Sequence, residues 1–163
     1  MLFAVAFAVA ALIALLLQTT IFPSVPGLPI VPDLVVVLAT YLGLRRHGVG
    51  GVAGTFFLGY ALDTFSGTAV GLHAFSLVAV YLAVYVIARR LWVGNGLPLM
   101  IVVFFAACVR AAALVAGATL LEAPAHVWHH VVRYGVLEAG VAALVAPAVF
   151  AFVTWEEGLL EIV

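Results

Sequence analysis

Pro32-Asp33-Leu34-Val35-Val36-Val37-Leu38-Ala39-Thr40-Tyr41-Leu42-Gly43-Leu44-Arg45-Arg46 is the stretch on which the fold turns. It opens on an acid, runs apolar, and closes on two arginines. A second short run goes from about Val49, within the glycine-rich Gly48-Val49-Gly50-Gly51, to Leu62 and leads into Asp63 through Gly59-Tyr60-Ala61-Leu62-Asp63. Counted as helices at 1.5 Å per residue, the two runs are roughly 18 and 20 Å long, short of the ~30 Å of hydrocarbon in a bilayer. Together they form a hairpin with a carboxylate at each far end. Such an acid means little in water, but within an apolar run in lipid it is costly and marks a working or locking position.

Composition says which solvent applies. Of the 163 residues, 67% are apolar and 8% charged, none is lysine, and the mean hydropathy is +1.35. A soluble domain needs a polar skin, and this chain lacks the residues to make one. It reads as a single integral membrane domain over residues 1–163, with no soluble module. The formal charge of −1 gives no basis for a nucleic-acid partner. Cys108 has no second cysteine to bond and reads as a small packing residue within an apolar run.

Working outward, Leu2 to about Phe22 is a first span, uncleaved because no basic segment precedes it and Gln18-Thr19-Thr20 is no small-residue cleavage site. Ala6, Ala10 and Ala14 share one helix face, where small residues let backbones approach in lipid; alanine as mere filler is the competing reading. Proline then recurs at every third position from Pro23 to Pro32, predicting a stiff polyproline turn tucked over the bundle. In the third span Gly51, Thr55, Gly59 and Asp63 repeat every four residues on one face. Thr64 to Gly71, with Gly67 and Gly71, predicts a turn. Further spans cover Leu72–Ala88, Leu97–Leu121 and about His129–Trp155. The sum is an all-α membrane protein of six transmembrane helices. Arg45, Arg46, Arg89 and Arg90 follow the second and fourth spans, so those loops and both termini are expected in the cytoplasm.

Depth follows from counting residues up from the arginine side. Asp33, Asp63, Arg110 and His73 come out roughly 18 to 24 Å up, and Gln18 and Glu138 at about 26 Å. All six therefore fall in the outer half of the membrane, predicting a polar cluster in which Arg110 satisfies Asp33 or Asp63. The cluster is read either as a structural lock or as a pocket for a partner or ligand. His126, His129 and His130 group at the outer interface, with a four-residue spacing that can hold a metal, but no cysteine is near, and ordinary interfacial histidines are the preferred reading. Gly-x-Ser-x-Gly, His-Glu-x-x-His and phosphate-loop signatures are all missing, so neither an enzyme nor a cofactor is expected.

Gln18-Thr19-Thr20, Pro32-Asp33-Leu34, Tyr41-Leu42-Gly43-Leu44-Arg45-Arg46, Gly54, Gly59 to Gly67 and Gly71-Leu72 resemble, in order and spacing, the rod shape-determining protein MreD family. The likeness covers the first half of the chain. It implies a six-helix protein of the bacterial inner membrane that binds MreC and works in the elongation machinery, or elongasome, with the filament protein MreB, the glycosyltransferase RodA and a class B penicillin-binding transpeptidase. It would act there as a non-enzymatic scaffold supporting side-wall peptidoglycan synthesis and cell shape. The family also resembles the S components of energy-coupling-factor transporters. That implies an alternative, a substrate-binding subunit with a vitamin-sized ligand among Asp33, Asp63, Arg110 and His73. A homo-oligomer stays open.

Overall fold

Leu34 to Gly43 are buried without a break. A helix apolar all round belongs in the middle of something, and the computed structural model of the chain places it there. The structure describes residues 2–21, 32–67, 70–90, 96–120 and 126–161, and they are helical with no strand among them. The helices are α1 (Leu2–Leu16), α2 (Leu34–Arg45), α3 (Val49–Ser66), α4 (Leu72–Ala88), α5 (Leu97–Leu120) and α6 (His126–Glu161). The short helix α2 touches all five others, which wrap it in the order α1, α6, α5, α4, α3.

Directions follow from the contacts. Gly59 lies against Ala74 and Gly51 against Tyr81, so α3 and α4 run antiparallel. Gly43 near the end of α2 lies against Val84 near the end of α4, while Asp33 and His73 at their starts meet at Arg110, so α2 and α4 run the same way; Tyr41 of α2 meets Phe150 of α6 edge-on with ring centroids 5.0 Å apart. One end of the bundle carries Asp33, Asp63 and His73. The other carries Arg45, Arg46, Arg89 and Arg90, all exposed.

Several boundaries differ from the sequence reading. The first span ends not as α-helix but in a π-helical turn, Leu17–Ile21, which carries Gln18. The turn expected from Thr64 begins three residues later, because α3 continues to Ser66 with the Thr64 hydroxyl bonded back to the Tyr60 carbonyl at 3.0 Å. Gly67 then ends the helix at φ +63°, a left-handed residue where glycine has no steric penalty. The last helix is longer than expected at 36 residues and contains Pro147, which cannot donate to the carbonyl one turn earlier. Cys108 is exposed on α5, not packed as expected. The proline-rich stretch before Pro32 lies outside the described residues, as do the side chains of His126, His129 and His130.

Two helices, within Leu97–Gly117 and Tyr134–Trp155, are long and apolar enough to cross a membrane. The outer surface is apolar as well: Leu12, Phe57, Phe75, Ile101 and Leu144 are each more than half exposed. In hydrocarbon such surface carries no penalty, and burying it gains no hydrophobic free energy either. Close packing and polar contacts must therefore hold the bundle. The buried hydroxyls of Thr40, Thr55 and Ser76 add no unsatisfied donors, since each bonds a carbonyl of its own helix at 2.8 to 2.9 Å.

Candidate functional site

The site grows from the start of α2. Asp33 is its N-cap, and one carboxylate oxygen accepts from the Val36 amide at 3.2 Å. The same oxygen accepts from the Gln18 side-chain amide at 3.3 Å, and the Gln18 carbonyl in turn accepts from the Val35 amide at 3.3 Å. Gln18 thus takes one orphan amide of α2 while Asp33 takes another. The π-helical turn is what carries this glutamine on α1, and such turns concentrate at functional positions.

The second oxygen of Asp33 forms an ion pair with Arg110 of α5. Arg110 is buried, and its Nη2 lies 3.4 Å from His73 Nδ1 on α4. A guanidinium only donates, so this contact uses Nδ1 as the acceptor. The Glu138 carboxylate on α6 exerts a further charge interaction on Arg110. Arg110 Nε has no hydrogen-bond partner among the described residues. One guanidinium therefore ties α2, α4 and α5 together and feels α6, while Gln18 brings in α1.

Asp63 forms a second centre. From α3 its carboxylate accepts the backbone amides of Gly71 at 2.9 Å, His73 at 2.9 Å and Ala74 at 3.2 Å. It caps α4 from outside that helix, where anionic charge is favoured by the aligned peptide dipoles. Gly71 occupies the N-cap position of α4 and has no side chain to do this. That glycine was the signal from which a remote cap could have been inferred. His73 links the centres, its amide on Asp63 and its ring on Arg110.

Of the six residues assigned to an outer-half cluster, Gln18, Asp33, His73 and Arg110 meet directly, Glu138 acts on Arg110 by charge, and Asp63 joins through His73. The pairing left open in the sequence falls to Asp33, not Asp63. On α3 a Cβ at Gly59 would sit 2.7 Å from the Ala74 amide nitrogen, and one at Gly51 would sit 2.6 Å from the Tyr81 hydroxyl. Tyr81 donates to the carbonyls of Arg46 and Gly48 at 2.8 and 3.3 Å, fastening the turn between α2 and α3. Sequence reasoning missed this latch, since a tyrosine in an apolar run carries no mark of its partner. Ala10 and Ala14 are buried, and the Ala6 side chain lies outside the described residues. Arg89 lies over the Tyr85 ring at 5.8 Å.

A small helical bundle with an apolar exterior, whose buried charged groups Asp33, Asp63 and Arg110 join its helices, has the build of a membrane protein. The chain belongs to the rod shape-determining protein MreD family, whose model matches residues 1–156. The match extends past Arg90 and includes Arg110 and Glu138. Membership implies a role in rod shape determination, in association with the membrane and the rod-shape machinery. No curated protein and no solved structure matches the chain.

Proposed function

We propose that this chain is a non-enzymatic scaffold of the bacterial cell-elongation machinery, held in the inner membrane by six helices with both termini in the cytoplasm. Family membership carries the reading. The polar hub supports it, because its groups face one another and act as a lock between helices. The arginine end supports the orientation, since the excess of basic residues marks the cytoplasmic side.

The partner is MreC, through its membrane helix, and through it RodA, the class B penicillin-binding transpeptidase and MreB, in support of side-wall peptidoglycan synthesis. The docking surface that suits a helix is the small-residue face of α1. There an apolar groove of about 340 Å³ opens between α1, α2 and α6, with Ile13 and Phe152 exposed at its rim and the buried Ala10 and Ala14 at its floor. Small residues let a further helix approach closely without a polar contact.

The test is co-purification of tagged chain with MreC, repeated with Ala14→Leu, which fills the groove. Loss of MreC from a variant that still elutes as folded protein supports the reading, and undiminished MreC places the partner elsewhere. The transporter alternative requires a vitamin-sized molecule released from the purified chain and detected by mass spectrometry. Finding one that the Asp33→Asn/Arg110→Leu double variant loses while still eluting as folded protein would replace the scaffold with a ligand-binding subunit.

A further inference from the structure

At the arginine end a cleft of about 380 Å³ opens between α2, α5 and α6. We propose that it binds the headgroup of an anionic phospholipid. The inference rests on the orientation above, which puts this end at the cytoplasmic leaflet, but not on the scaffold role or on any protein partner.

The lining is graded from charged to apolar. Arg45, in the last turn of α2, is exposed at the mouth, with Thr154 and the indole of Trp155 opposite it on α6. Further along α6 lie Phe150 and Pro147, and Leu99 lines the wall beside the mouth; Leu99 and Phe150 are buried. From Trp155 to Pro147 is about 12 Å along a helix, a depth that reaches below the headgroup level. Leu99 sits in the first turn of α5 and closes the cleft from that side. Tryptophan and arginine are the side chains that settle at headgroup depth, one end apolar and the other polar.

Charge and shape together select the ligand. The mouth offers a guanidinium and the indole N–H as donors to a phosphodiester. Basic pockets between membrane helices on the cytoplasmic side take anionic headgroups. A free phosphate would use the mouth and leave the apolar depth unfilled. An amphiphile fills both. Glu156 and Glu157 follow Trp155, with side chains outside the described residues, and either carboxylate is a competitor for Arg45.

The experiment is native mass spectrometry and thermal unfolding of the purified full chain in detergent, titrated with phosphatidylglycerol, with phosphatidylethanolamine of the same acyl chains, and with inorganic phosphate. Retention of phosphatidylglycerol over phosphatidylethanolamine, with a matching rise in melting temperature, is expected. Arg45→Gln should weaken that retention about five- to tenfold. Ala151→Phe, which keeps the charge but fills the cleft wall, should do the same, while Arg89→Gln at the same end should not. Equal retention of the two lipids overturns the proposal. So does an Arg45→Gln chain that binds like wild type, the result expected if a glutamate holds Arg45. Equal loss in Arg89→Gln means diffuse attraction to the whole end, and stabilisation by phosphate alone means a free-anion site; either also overturns it.

Discussion

Asp33 has two tasks, capping α2 and neutralising Arg110, and substitution can separate them. Asp33→Asn keeps a side-chain acceptor for the Val36 amide but removes the carboxylate that pairs directly with the buried guanidinium, leaving it only the charge of Glu138. Breaking a buried pair in this way costs about 3–5 kcal/mol, whereas replacing both partners with uncharged groups is often close to neutral. Asp33→Asn should therefore unfold well below wild type in a detergent melt, and adding Arg110→Leu should recover most of the loss. A double variant no better than the single one would show that the pair does not hold the hub. Depth counting along the sequence put Asp33, Asp63 and Arg110 at one level, because rise per residue is fixed. It could not say which acid Arg110 meets, because position around the bundle depends on packing that no single helix encodes.

At the scale of elements, α3 and α4 are joined by a backbone approach and by a cap that crosses between them. Gly59→Ala places a methyl against the Ala74 backbone, which cannot rotate away. The two helices must part, at a cost of about 1–3 kcal/mol typical of overpacking. Gly140 on α6 is the control, since a Cβ there meets nothing within 4 Å and alanine is the better helix former by about 1 kcal/mol. Thermal melts should move down for Gly59→Ala and level or up for Gly140→Ala; a Gly59→Ala protein as stable as wild type would mean the close approach is not needed. The four-residue repeat of Gly51, Thr55, Gly59 and Asp63 made this face legible. The length of α3 was not, because Thr64 and Ser66 read as turn residues until the carbonyl to which Thr64 bonds back is known.

For the whole molecule, helix number and order could be read from the sequence, while the wrapping of α2 could not. In water a helix shows its buried side by contrast between apolar and polar faces. In hydrocarbon the lipid-facing and packed sides are both apolar, so nothing in Leu34–Leu44 separates a central helix from a peripheral one. Its shortness was the one clue. The arginine clusters make a prediction at this scale: a reporter active only in the cytoplasm should be active when fused after residue 90 or at the C-terminus. It should be silent when fused in the turn after Gly67. Activity after Gly67 alone would invert the assigned orientation, and activity at all three positions would overturn the assigned span arrangement.

The enclosure of α2 bears on how the chain is made. It is the second helix to leave the ribosome, yet Arg110 emerges about 80 residues later, and at 5–20 residues per second that is roughly 4–16 s of synthesis. During that interval Asp33 is without Arg110, and only when α6 has been made can the last flank of α2 be covered. With the proposed insertion, the order of synthesis therefore leaves an early, charged, undersized segment to be satisfied by neighbours that are made last.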